Sequence, residues 1–305
     1  MAIGVEQPFH DGEIEVQTCA GVRNQAARLG SRMRGDIPPI AVQFLAERTY
    51  AIAGALDSSG QVWAMPLFGP RGFLSAVDDA RAVQIDASAP SRARLAASDA
   101  GPVGLLGIDL DSRRRMKVKG ILEIRSGMPI LHAQRVYSIC HKYIQRRVVD
   151  ETAARAEAPA VVASGDALNE RQRQWVERAD TFFIATHHPQ TGADAQHRGG
   201  LPGFVRVLSE RSLLFPDYKG NDLFNTLGNI TANGHAALLF LDFEGGSMLQ
   251  LAGRAEVLWN RAEFADLVPT EVERAVRFSV EQVIETENAS PHTWTLLELS
   301  PFNPR

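Results

Sequence analysis

Two cations and a helix start in the second half of the sequence could together grip an anion. Arg206 falls in a predicted strand, on the same side as Phe204 and Leu208, because strand side chains alternate. A guanidinium on an apolar face needs an anionic partner, since an unpaired buried charge is strongly unfavourable. Lys219 lies in the loop Pro216-Asp217-Tyr218-Lys219-Gly220-Asn221, just ahead of a predicted helix that Asn221 or Asp222 would cap. The opening turn of a helix offers free N–H groups and the positive end of a dipole, which attract phosphate. Asn225, Thr226 and Asn229 follow within two turns, with Asn225 and Asn229 on one face at i, i+4. Arg206, Lys219 and the helix start therefore read as a phosphate cradle. The plainer alternative pairs Arg206 with an internal carboxylate and leaves Lys219 in solvent. The loop Gln196-His197-Arg198-Gly199-Gly200-Leu201-Pro202-Gly203 enters the Arg206 strand, and its glycines would let backbone approach a planar ligand closely. A plain surface turn is its alternative.

Other chemistry-bearing groups carry weaker signals. His187-His188 and His197 match no standard metal spacing, so solvated loop histidines and no metal site are expected. Cys140-His141 would point to opposite faces of a strand, which suits a structural cysteine better than a nucleophile with its base. Arg113-Arg114-Arg115 with Lys117 and Lys119 reads as a solvated basic hairpin that could help hold an anion. There is no nucleophile elbow, no Walker loop and no GxGxxG, and no residue stands out as catalytic.

The elements that must position these groups repeat. Gly203-Phe204 stands over Gly72-Phe73 at an offset of 131 (204 against 73), and Leu251-Ala252-Gly253 over Val118-Lys119-Gly120 at 133 (253 against 120). Ala236 to Asp242 over Val103 to Asp109 keeps the same 133. Two copies of one unit are expected, 1–152 and 165–305, joined through the small, polar stretch Ala153 to Ala160. At the 131 offset Arg206 stands over Ser75 and Lys219 over Ser88, so the cradle belongs to the second copy alone.

The first copy reads as a helix at Pro38–Glu47, then strands at Tyr50–Leu56 and Val62–Leu67 around the turn Asp57-Ser58-Ser59-Gly60. Met116, Val118 and Gly120 alternate with lysines, as in a half-buried strand. The second copy reads as a helix to about Arg178, capped by Ser164 or Asp166, and then strands at 182–186, 204–208, 236–243, 248–259 and 275–281. Its inserted helix, with Leu223, Leu227 and Ile230, would end at Asn233-Gly234. The class is mainly β (α+β): two tandem antiparallel split barrels with short helices.

The 305 residues are 45% hydrophobic and 22% charged, ordinary globular values. A net charge of −4 gives no reason to expect nucleic-acid binding, and no apolar run approaches the about 20 residues of a membrane span. Two cysteines cannot form a disulfide framework, and the opening residues do not resemble a signal peptide, so a cytoplasmic protein is expected.

The runs Asp194 to Val207, Pro216 to Ile230, Ala237 to Phe243 and Leu251 to Glu256 together resemble the pyridoxamine 5′-phosphate oxidase-like flavoproteins, the FMN-binding split-barrel family. The first half, through Val103 to Asp109 and Lys142-Tyr143-Ile144-Gln145, resembles the partner domain of a tandem subgroup. The resemblance implies a six-stranded barrel with FMN between two barrels. Carried onto this sequence, it implies cofactor contacts from Arg206, Val207, Lys219, Asn221, Asn225 and Thr226, with Asn229 and His197, Arg198 and Gly199 as further candidates. One FMN per chain is expected, its phosphate on the second half and its partner barrel supplied by the same chain as a pseudo-dimer; a homodimer remains open. The resemblance implies an oxidoreductase acting on a small organic substrate, with electrons from NAD(P)H or a separate reductase. The alternative is a flavin- or haem-binding carrier or sensor on the same fold. The oxidase's substrate-binding Arg/His pattern near the C-terminus is absent, which argues against pyridoxamine phosphate as the substrate.

Overall fold

The computed structural model describes residues 7–96, 101–151, 158–220 and 222–304. Three helices come first, α1 (Asp11–Cys19), α2 (Arg23–Gly30) and α3 (Pro39–Ala46). Strands β1 (Tyr50–Leu56), β2 (Val62–Phe68), β3 (Leu74–Val77) and β4 (Ala82–Ile85) follow, then α4 (Ala89–Ala96). The first half closes with β5 (Pro102–Asp109), β6 (Arg114–Arg125), β7 (Met128–Ile139) and β8 (Arg146–Asp150). The second half runs β9 (Ala160–Gly165), α5 (Glu170–Arg178), β10 (Thr181–His188), β11 (Gly192–Gly199), β12 (Arg206–Ser209), β13 (Ser212–Pro216) and α6 (Asn225–Asn233). It ends with β14 (His235–Leu241), β15 (Met248–Leu258), β16 (Ala275–Glu287) and β17 (Thr293–Glu298).

The repeat read from the sequence is present in the topology. The first antiparallel sheet has the order β2-β1-β5-β6-β7-β4-β3, and the second β11-β10-β14-β15-β16-β13-β12, with β9 added beside β16. Raising every strand number of the first order by nine gives the second. Even the irregularity repeats: the β6–β7 register slips between Lys119 and Gly120, and the β15–β16 register between Ala252 and Gly253. Both bulges need glycine. A Cβ at Gly120 would lie 1.8 Å from the His132 carbonyl oxygen, and one at Gly253 2.0 Å from that of Ser279.

Each sheet encloses its own core, one around Phe73, Leu105, Val118 and Leu131, the other around Phe182, Phe215, Leu238 and Phe278. A third cluster lies between the sheets, joining Tyr50, Ile52, Leu106 and Ile108 to Phe183, Ala195, Ala237 and Leu239. Strands such as β1 and β14 are therefore buried on both faces, which is why they read as unbroken apolar runs. The chain ends cross over. Helix α1 packs on α6, and β17 pairs with β8.

Four expectations about local structure are corrected. Residues 160–165 form a strand, and α5 is capped by Asn169, whose side chain accepts from the Gln172 N–H in a capping box. Helix α6 starts at Asn225, not next to Lys219; Asp222 and Phe224 stand in left-handed backbone ahead of it, and the Asp222 carboxylate accepts from Gln25 Nε2 instead of capping. The strand expected from Phe204 begins at Arg206. Lys117 and Lys119, expected in solvent, are 0% and 3% exposed. The end of α6 is as expected, with Gly234 at φ +74°. Of the expected linker, residues 153–157 lie outside the described residues. Among the described residues no helix is long and apolar enough to cross a membrane.

Candidate functional site

Strand β6 alternates, and its apolar side, Met116 and Val118, fills the first core. Its other side presents Arg115 and Lys117 to β11 of the second half. Lys117 Nζ donates to both carboxylate oxygens of Asp194 at 2.7 and 2.9 Å, with both side chains at most 1% exposed. Burial pulls the Lys117 amine down to about 8 although Asp194 opposes the shift. Arg115 lies 3.3 Å from His197 Nδ1 and donates to the carbonyls of Cys140 and Lys142. Burial lowers the Arg115 guanidinium to about 10, and burial together with Arg115, Arg147 and Arg198 holds His197 far below the usual imidazole range, so that ring is neutral.

Arg115 and His197 help to wall a cavity of about 60 Å³ between the halves. Arg115, Cys140, Lys142 and Tyr143 come from the first half, and Gln196 to Gly199, Phe204 and Tyr218 from the second. A smaller hollow of about 40 Å³ shares Gln196, Arg198, Tyr218 and Gly220 with it and reaches Asn225 and Thr226 at the start of α6. Five buried polar atoms along these two hollows have no hydrogen-bond partner among the described residues: Arg115 Nε, Gln196 Oε1, His197 Nε2, Arg198 Nε and Thr226 Oγ1. Each such group costs about 1–3 kcal/mol when left unsatisfied, so five in one place mark a surface shaped for a polar ligand.

Arg198 is held in place from behind. Asp217 accepts from Arg198 at 3.0 Å and from Arg274 at 2.9 Å, and Arg274 lies over the Phe224 ring at 4.8 Å. The left-handed turn at Phe224 is thus tied to the arginine of the cleft.

The sequence-derived candidates separate into two groups. His197, Arg198, Gly199, Asn225 and Thr226 line the hollows. Lys219 is exposed, and its carbonyl accepts from the Tyr143 hydroxyl at 3.0 Å, beside the cavity residues Tyr218 and Gly220. Asn221 lies outside the described residues. Arg206 does not sit on an apolar face; it is exposed, and its Nε donates to the Leu267 carbonyl at 2.9 Å, away from both hollows. Val207 packs on the second core. Asn229 is fully buried between elements, pairing with His10 Nε2 and with the Thr186 hydroxyl, both at 2.9 Å. Asn225 also serves this junction, donating to Glu13 and accepting from the Tyr137 hydroxyl.

Cys140, Lys142, Tyr143, Gln196 and Tyr218 were missed as site residues, and Arg115 and Lys117 were read as part of a solvated hairpin that could help hold an anion. A signal for Arg115 and Lys117 existed. At the 133 offset Met248 and Gln250 stand in their places, so the first copy carries charge there where the second carries none.

Residues 168–293 match the family model described as pyridoxamine 5′-phosphate oxidase. The match lies within the second half of the chain. No curated protein matches this chain. Similar solved structures include HupZ of Group A Streptococcus, at 11% identity over 44% of this chain and 98% of that one, with TM-score 0.30. A Clostridium acetobutylicum protein related to general stress protein 26, of the pyridoxinephosphate oxidase family, is 13% identical over 42% and 92%, with TM-score 0.32. The FAD binding protein of Mycobacterium smegmatis is 16% identical over 40% and 98%, with TM-score 0.28.

Proposed function

We propose that the cleft between the halves binds FMN and that the protein is an FMN-dependent oxidoreductase acting on a small organic substrate, with electrons from NAD(P)H or a separate reductase. The observation that carries this reading is the convergence of five partnerless buried polar atoms, two of them on guanidinium groups, on hollows lined by both halves. That donor set suits a phosphomonoester dianion and the polar edge of a planar ring. The enclosed space is smaller than the roughly 300 Å³ at which small-molecule sites begin. Entry of the cofactor therefore requires Tyr143 and Tyr218, which line the cavity with rings 5.1 Å apart, to separate.

Arg198, Thr226 and the first turn of α6 would hold the phosphate, with Gly220 beside them. Gln196, His197 and Arg115 would face the ring. When bound, FMN supplies the redox step by taking up and passing on a hydride. The protein's own groups position and shield. The Lys117–Asp194 pair locks β11 against β6, which fixes Gln196 and His197 relative to Arg115. Neutral His197 leaves Nε2 free to exchange a hydrogen bond with the ring edge without adding charge. The absorption spectrum of purified protein tests the reading. Bands at about 370 and 450 nm are expected for oxidised flavin, followed by bleaching with NAD(P)H. A colourless protein that takes up no FMN overturns it, and one intense band near about 400 nm would replace flavin by haem.

A further inference from the structure

The repeat places a second cleft opposite the first. The cleft above uses β6 and β7 of the first half and β11 of the second. Their counterparts are β15, β16 and β2, and these line a separate cavity of about 260 Å³. The correspondence holds residue by residue. Met248 stands for Arg115 and Gln250 for Lys117 (133 apart), while Trp63 stands for Asp194 and Met65 for Gln196 (131 apart). The registers agree, since Arg115 pairs with Ile139 and Met248 with Thr286. Helix α4 follows β4 as α6 follows β13, and it brings Arg94 to the cavity.

The lining has a definite chemistry. Trp63, Met65, Met248, Ile284 and Val161 make apolar walls. Two polar groups on the lining are already engaged. Gln250 Nε2 donates to the Ala64 carbonyl at 2.8 Å, and the Asp57 carboxylate accepts from the Ser59 and Gln61 N–H groups, the Ser59 hydroxyl and Trp63 Nε1. Two are not. Thr286 is 1% exposed and its hydroxyl has no partner among the described residues. Arg94 is half-buried, and among the described residues no carboxylate lies within ion-pair distance of it. Leu67 stands where Arg198 does in the first cleft, so nothing here repeats that phosphate grip.

We propose that this second cavity binds a small monocarboxylate with an aromatic or branched apolar body, its charge on Arg94, one carboxylate oxygen accepting from the Thr286 hydroxyl and its body among Trp63, Met65 and Met248. An apolar body accounts for the walls, and a single anion accounts for Arg94, the one cation on this lining, which has no ion-pair partner among the described residues.

Calorimetric titration of the full chain with 2-naphthoate and its neutral analogue 2-naphthamide tests this. Naphthoate should bind saturably at one site, at least tenfold more tightly than the amide. Arg94→Gln should bring naphthoate down to the affinity of the amide, Arg94→Lys should keep most of the binding, and Thr286→Val should weaken it about threefold. Arg198→Gln, which alters the other cleft, should leave naphthoate binding unchanged. Equal affinity for acid and amide, no saturable binding, or wild-type binding by Arg94→Gln would each overturn the proposal. Loss of naphthoate binding in Arg198→Gln with none in Arg94→Gln would move the ligand to the first cleft and overturn it equally.

Discussion

The two clefts between the halves are built from the same strands in the same order, yet one is lined with Arg115 and Gln196 and the other with their counterparts Met248 and Met65. In a symmetric dimer of one barrel, both clefts would be identical by necessity, because each residue appears in both. A tandem chain removes that constraint. One cleft can keep a charged lining while its twin loses it, and the cost of burying charge is met only once. Lys117 and Asp194 neutralise each other where β6 meets β11; the equivalent Gln250 and Trp63 carry no charge.

The sharpest way to break this comparison is to remove one partner of the buried pair. Lys117→Met should cost about 3–5 kcal/mol in denaturant unfolding, because Asp194 is left charged and dry. The equivalent Gln250→Met should cost about 1 kcal/mol, the worth of its single hydrogen bond. Equal losses would mean that the two positions are not in equivalent but differently charged settings. The repeat itself is tested by the bulges. Gly120→Ala and Gly253→Ala should each destabilise by about 1–3 kcal/mol and by similar amounts, since each Cβ meets a carbonyl oxygen at 1.8 or 2.0 Å.

A smaller effect comes from the α1–α6 junction, which Asn225 joins to the first cleft. His10, 8% exposed and stacked on His188 at 3.8 Å, has its pKa lowered from 6.5 to about 4, chiefly by burial. A base depressed on folding contributes stability that is complete above about 6.5 and lost as pH falls toward 4. The melting temperature advantage of wild type over His10→Gln should therefore shrink between pH 7 and pH 5. The raised carboxyl of Glu13 acts in the opposite sense but is common to both proteins. An advantage that stays constant with pH would remove His10 from this role.

How far the sequence could be read depended on which physical signal each element left. The repeat survived because bulge glycines and apolar strand runs tolerate few alternatives, so Gly120 over Gly253 and Val103–Asp109 over Ala236–Asp242 stayed in phase. The class, mainly antiparallel β with short helices, followed from it. The basic strand was misjudged because a period of two separates its faces without telling whether the second face is wet. Lys117 looks the same in sequence whether it meets solvent or Asp194. Arg206 was overvalued for a related reason: the strand there starts at Arg206, so its direction could not be inferred from Phe204. The late start of α6 rests on left-handed turns at Asp222 and Phe224, and phenylalanine is a residue type that does not announce such a conformation. The crossing of chain ends, α1 onto α6 and β17 onto β8, leaves no local trace at all.

Arg198, not Arg206, is the arginine expected to grip the phosphate. Equilibrium titration of FMN, followed by quenching of its fluorescence, should show tight binding to wild type, binding at least tenfold weaker to Arg198→Gln, and wild-type binding to Arg206→Ala. Loss of binding in Arg206→Ala with full retention in Arg198→Gln would contradict it.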